Sequence, residues 1–590
     1  MPDYGIILMQ DILCAEFFRR GYNMKLINNG LEAKGFAQLE SAVCRKLEER
    51  NCAALTAPVV TYTLCKDMND DEYKVTADAS KVDIVCGGVS GAFAATGCYL
   101  RKCGFDGKGA FEPFAGTFAL KPENVMHGMY FASHFRNFYE DAPIDKVYRV
   151  LDDLALWGGN ALAVWFDMHQ FKGINTPEAQ AMVNRLIKIL SYAALIGMKT
   201  IMTTLANESF STSDPAMRAE WTVQNGYFRE PRGHYHVEIC PNKEGGLKEI
   251  LKQRREVMDA FKSVHIDYIS IWPYDQGGCT CAKCKPWGAN GFLKTMDALH
   301  ELYAEIMPDT KLLCATWYFD RFIHGEWAEF IDKMNTGKYD YADMLFGYFA
   351  NEEPIPDSIR NGQMPANKAM ISFPEISMYG AIPWGGFGAN PMPMRFQNNY
   401  TSNGKIYKGG GALPYSEGIF EDINKVLMTS FYSGRTDSAE EVLREYAGFE
   451  LGLHGKTADD FVKMVMMMEE TLKRHPAYKN GNPRDFETAT MSYDDVRFVI
   501  ENPEKANEIK SICDSIDAEM ADKLRKSWKW RILYIRAHVD AELVNHPLEY
   551  TEHFDECMQE LVDIYHAQHA YYVVTPIVRN ALDHPNGGKV

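Results

Sequence analysis

At 590 residues the chain is longer than one ordinary domain and predicts roughly two to four units. A composition of 46% hydrophobic and 24% charged residues supplies ample material for a buried core. The formal net charge of −18 and a pI near 5.4 argue against nucleic-acid phosphates or an anionic membrane surface as partners.

The opening MPDYGIILMQDILCAEFF lacks a charged n-region, an apolar stretch and a small-residue cleavage site, so a cytoplasmic location is expected. No apolar run is long enough to span a bilayer. Residues 1–122 read as a small α/β unit. LEAKGFAQLESAVCRKLEER has helical periodicity, while PVVTYTL and YKVTADASKVDIVCGG alternate as strands, the second around a tight Asp/Ser turn. SGAFAATGCYLRKCGF then predicts a helix opening from a Gly-rich turn.

Residues 123–435 change to a regular alternation. Strands are predicted at GMYFASH, ALAVWFD, KTIMTTLANES, DYISIWPYDQ, KLLCATWYFD, DMLFGYFA, KAMISFPE and GGALPYSEG. Amphipathic helices such as IDKVYRVLDDLALWGG, AQAMVNRLIKILSYAALIG and LKEILKQRREVMDAF lie between them. Eight β-then-α units are the pattern of a (β/α)8 TIM barrel, and no Gly-rich phosphate turn follows the first strand to favour a doubly wound sheet. Residues 436–590 predict a C-terminal α-helical domain, expected to pack on the barrel or to build a homo-oligomer contact. Its MVMMM run is read as helix core.

Chemistry in such a barrel sits at the C-terminal ends of the strands. The carboxylates predicted there are Asp167, Glu208, Asp275, Glu375 and Glu417. Each alone could cap a helix or face solvent. Together with His134, Arg136, His169, Trp165, Trp272, Tyr274, Gln276, Trp317, Trp384 and Tyr415 they suit a carbohydrate pocket. Two carboxyl groups flanking a glycosidic bond are the usual means of hydrolysing it, one protonating the leaving oxygen and the other attacking or activating water. Strands four and seven face each other across a barrel mouth, so Asp275 and Glu375 form the expected catalytic pair, with Glu417 as the rival second carboxylate or a grip on sugar hydroxyls.

Cys279, Cys281 and Cys284 have C-x-C-x-x-C spacing, and Cys240 from the preceding loop is the expected fourth ligand, with His234 or His236 as substitutes. Structural zinc is expected there, against free thiols, a disulfide or an iron–sulfur cluster; no organic cofactor is expected.

DEYKVTADASKVDIVCGGVSGAFAATGCYLRKCGF resembles the small α/β domain preceding the barrel in family 20 β-hexosaminidases and family 67 α-glucuronidases. GMYFASHFRNFY and LDDLALWGGNALAVWFD resemble their first barrel strand, first helix and second strand. The resemblance implies a glycosidase acting on an oligosaccharide or glycoside, with exo-action. Family 20 carries Asp-Glu at the end of strand four, where this chain has Asp275-Gln276. Gln276 cannot donate a proton, so the acetamido-assisted route does not carry over, and Asp275 becomes the expected acid. A carbohydrate-binding barrel without catalysis and a zinc-dependent hydrolase or lyase are the alternatives.

Overall fold

The computed structural model describes residues 24–52, 58–133, 137–220, 237–274, 278–320, 325–347, 359, 361, 363–376, 389–404, 406–471, 503–546 and 551–566. The first layer is a five-stranded sheet of β1 (Leu26–Asn29), β2 (Val59–Leu64), β3 (Tyr73–Ala77), β4 (Lys81–Cys86) and, beyond the short hairpin of β5 (Gly104–Phe105) and β6 (Phe111–Glu112), β7 (Gly116–Leu120). Its order is β1-β2-β4-β3-β7. The expected β3–β4 hairpin turns at Asp78, whose Oδ1 accepts from the Ser80 and Lys81 N–H groups at 2.7 and 2.8 Å. Strands β1 and β7 escaped the sequence reading because each is short and gains its identity from a partner. The helices Ala33–Glu49 and Val89–Lys102 belong to this layer.

The main sheet has ten strand segments, and every pairing in it is parallel. They are β8 (Met126–His127), β9 (Met129–Phe131), β10 (Ala161–Trp165), β11 (Lys199–Leu205), β12 (Tyr268–Trp272), β13 (Lys311–Ala315), β14 (Ala342–Phe346), β15 (Met370–Ser372), β16 (Gly411–Ala412) and β17 (Tyr415–Ser416). β10 and β12 are buried at every position, which is why they read as continuous apolar runs rather than alternating ones. Helices such as Ile144–Leu156, Pro177–Leu195, Gly246–Phe261 and Gly291–Ile306 follow successive strands.

The sheet curls back on itself. Met126 pairs with Gly411 and Tyr130 with Tyr415, and between these the Gly128 N–H donates to Ala412 O and the Tyr130 N–H to Pro414 O. Gly128 is required at this seam, because a Cβ there would lie 1.9 Å from the Ala161 carbonyl oxygen. The curled parallel sheet is consistent with a barrel.

The C-terminal part is helical over Ala439–Leu451, Gly455–Thr471, Pro503–Glu519, Trp528–Asn545 and Glu552–Tyr565. Met464, Met467 and Met468 are buried in their helix, as core residues should be. No helix among the described residues is long and apolar enough to cross a membrane.

A buried ion cluster fastens these parts together. Lys46 of the first helix lies 2.8 Å from Asp153 and 3.0 Å from Glu450; Lys529 lies 3.0 Å from Asp422, 3.3 Å from Asp153 and 3.6 Å from Glu450. Trp157 Nε1 donates to Glu450 Oε1, the oxygen that Lys529 approaches, at 3.0 Å. Against the upward push of burial, Lys46 and Lys529 hold the Glu450 carboxyl down at about 2.

Candidate active site and thiolate cluster

At the C-terminal ends of the main strands six aromatic rings pack together: Tyr130, Trp272, Trp317, Phe346, Phe373 and Tyr415. Trp272 is the hub, 4.9 Å from Phe373 and 5.1 Å from Trp317 between ring centres, and Tyr130 stacks on Tyr415 at 5.7 Å. All six are buried, so they form a floor beneath the rim rather than an open wall.

Two half-buried carboxylates stand above one side of this floor. Glu375 bridges Tyr415 through the backbone, and the Tyr415 hydroxyl donates to Glu417 Oε1 at 3.2 Å. Glu375 also acts electrostatically on the half-buried Arg395 guanidinium, which desolvation lowers to about 10 while Glu469 and Glu375 oppose the drop.

On the opposite flank Trp165 Nε1 donates to Glu208 Oε1 at 3.4 Å, and the Thr204 hydroxyl donates to the same oxygen at 3.3 Å. Asp167 pairs with His169 Nδ1 and accepts from Gln170 Nε2 at 2.8 Å. Glu208 is buried, its Oε2 has no hydrogen-bond partner, and burial pushes it up to about 7 despite Arg254 3.9 Å away. Glu238, opposite it in an antiparallel bridge, is also buried, with Oε1 unpartnered; burial raises it too. Residues opposite each other in such a bridge share a face, so these carboxyl groups are neighbours that resist being charged together. Sequence reasoning missed Glu238. An acidic residue inside the apolar stretch HVEIC was the available signal.

Tyr274 is fully buried, its hydroxyl donating to Glu326 Oε1 at 2.7 Å. Glu326, also missed, further accepts from the Gly288 and Asp320 N–H groups at 2.7 and 3.1 Å. It thereby ties the segments after β12 and β13. Asp275, Gln276, His134, Arg136, Trp384, His234 and His236 lie outside the described residues.

Behind the rim the sulfur atoms of Cys240, Cys279, Cys281 and Cys284 lie within 4.8 Å of one another. Cys240 Sγ is 3.8 Å from Cys284 Sγ and 3.9 Å from Cys281 Sγ. Thiolates on one tetrahedral ion with bonds near 2.3 Å sit about 3.8 Å apart, so the four residues fit a single metal ion. The backbone N–H of Asn242 points at Cys240, that of Cys281 at Cys279, and Asn242 Nδ2 donates to Cys284 Sγ at 3.1 Å. Such donors stabilise metal-bound thiolates. The hydrogen bond from Cys279 leads in pulling Cys240 down to about 2, and the same bond pushes Cys279 up to about 12. Cys240 follows β11 and the other three follow β12. Asn207 reinforces the junction, its side chain accepting from Gly278 N–H and donating to Gly278 O, both at 2.9 Å.

No family model matches the chain, and no curated protein matches it in sequence. Solved structures do match. A family 115 4-O-methyl-α-glucuronidase with specificity for decorated arabinogalactans is 10% identical with a TM-score of 0.57, over 95% of this chain and 80% of that one. A family 138 enzyme targeting pectin rhamnogalacturonan II is 11% identical with a TM-score of 0.55, over 94% and 76%. A family 89 glycoside hydrolase from Clostridium perfringens is 11% identical with a TM-score of 0.57, over 90% and 64%. The fold is that of these glycoside hydrolases. Since the agreement spans 90% or more of this chain, it includes the layers flanking the curled sheet as well as the sheet itself.

Proposed function

We propose that the protein is a glycoside hydrolase that cleaves an oligosaccharide or glycoside by exo-action. The carrying observation is the placement of Glu375 and Glu417 beside Tyr415, above the aromatic floor at the strand C-termini. In this reading residues 126–131 and 411–416 each count as one interrupted strand, making eight strands of a (β/α)8 barrel. Residues 1–122 are its N-terminal domain and 436–590 its helical domain.

Asp275 is the proton donor. Glu375 is its partner, and Glu417 grips sugar hydroxyls together with Asp167, His169 and Glu208. Trp165, Trp272, Trp317, Trp384 and Tyr415 shape the apolar side of the pocket, and His134, Arg136, Tyr274 and Gln276 complete it. Zinc is the ion held by Cys240, Cys279, Cys281 and Cys284. Four thiolates leave no open coordination position, so its role is to fasten the loops after β11 and β12 that aim Asp275.

A glycoside panel followed by NMR of the first-formed anomer tests the reading. On the substrate found, Asp275→Asn and Glu375→Gln are each expected to cut turnover by at least about 100-fold, the usual scale for a positioned acid or base, while ligand binding persists. A retaining outcome requires carboxyl groups about 5 Å apart, an inverting one about 6.5–9.5 Å. Gln276, standing where family 20 has its acid, favours one rival, a sugar-binding barrel without catalysis. Wild-type inertness across the panel with retained sugar binding would select it.

A further inference from the structure

At the end of the main sheet opposite the rim, where β10 begins, a small cavity lies against the first layer. Arg101 of the helix Val89–Lys102 and Arg435, which follows the helix Asp422–Tyr432, line it together with Tyr73 of β3 and Trp157. The glycosidase reading uses none of them. The side chain of Arg101 is 1% exposed and that of Arg435 9%. Both guanidinium groups lie over the Trp157 ring, 4.3 and 5.8 Å from its centre.

Two buried cations here share one anion. Arg101 Nε lies 3.3 Å from Glu445 Oε2, and Arg435 Nη1 lies 2.7 Å from the same oxygen. Neither approach is aligned as a hydrogen bond: Arg101 Nε, Arg435 Nε and Glu445 Oε2 are all buried without a hydrogen-bond partner. Of five N–H donors apiece, Arg101 directs one to Leu156 O and Arg435 one to Ser430 Oγ, both at 2.7 Å. Asp71, also in the lining, is engaged elsewhere, its Oδ2 lying 2.9 Å from His127 Nε2 and accepting from Asn160 Nδ2 at 2.8 Å. Burial, and after it the Arg435 charge, push Arg101 down, and Glu445 only partly opposes them. A guanidinium cannot relieve such a site by losing its proton, as a lysine would. A negative charge that accepts the unused N–H groups relieves it.

We propose that this cavity binds one chloride ion between Arg101 and Arg435. The size of the space decides among anions. It has room for a single water-sized particle, which admits a halide and excludes phosphate, sulfate or a carboxylic acid. A water molecule fits as well, but it brings no charge. Leu120 and Gly158 in the lining are half-buried, which leaves the ion a path from solvent. With chloride in place, one ion holds the first layer, the segment before β10 and the residues after Asp422–Tyr432.

The test is thermal unfolding of the full chain in chloride-free gluconate buffer, titrated with sodium chloride at constant ionic strength. Wild type should show a saturable rise of Tm with chloride and with bromide, and no saturable rise with sulfate. Arg435→Gln, its fold checked by circular dichroism, should bind chloride at least about tenfold more weakly. Glu445→Gln should tighten chloride several-fold, because it removes the carboxylate that competes for both arginines. In crystals grown from bromide an anomalous peak is expected between the two guanidinium groups. No saturable chloride dependence in wild type, an unchanged dependence in Arg435→Gln, weaker binding in Glu445→Gln or no bromide peak would overturn the proposal and leave water as the occupant.

Discussion

Glu208 is a carboxyl group whose surroundings oppose its charge. It is buried, one oxygen is unpartnered, and Glu238 shares its face. Burial raises its folded-state value from 4.5 to about 7, so the folded chain holds this proton more tightly than the unfolded one does. The associated stability is full below about 4.5 and is lost as pH rises through about 7. Denaturant midpoints at about pH 5 and about pH 8 should therefore differ in wild type, and the difference should shrink in Glu208→Gln. An unchanged difference would show that the proton resides elsewhere. Glu450 is the opposite case, a buried carboxyl held charged by two lysines; the contrast comes from partners, which a residue's own neighbours in sequence do not reveal.

Among the elements, the strands were legible because burial on both faces writes itself as unbroken Val, Ile, Leu and Ala runs. β10, β11, β12 and β13 fall where the pattern predicts. The cysteine cluster was legible as well, spacing naming three of its members and loop order the fourth. Residues whose role depends on distant partners were not: Glu326 is defined by Tyr274, Gly288 and Asp320, and Glu238 by Glu208. The cluster makes an element-scale prediction. Cys284→Ser should abolish metal content at the rim, lower Tm by several degrees, and reduce turnover only through the loop it fastens. Full activity in metal-free protein would remove the positioning role, and loss of activity without loss of stability would instead give the ion a part in the chemistry.

At the scale of the whole molecule, the ion cluster around Glu450 joins the first helix, the helix after β9 and two C-terminal helices. The folded value of about 2 lies below the ordinary 4.5, so its contribution is full above about pH 4.5 and disappears as pH falls toward about 2. Glu450→Gln leaves Lys46 and Lys529 with one fewer partner in a buried site. Removing one member of a buried pair costs about 3–5 kcal/mol, read as a lower denaturant midpoint, and the variant should also be less sensitive to acid over that range. The cluster also bears on the order in which the chain is made. Asp153 leaves the ribosome before Glu450 and Lys529 later still, so the acidic pair lacks one of its two lysines until residue 529 has been made. The nascent protein can form its strands in sequence, yet the lock between Ala33–Glu49 and Ala439–Leu451 closes only when the helix Trp528–Asn545 arrives.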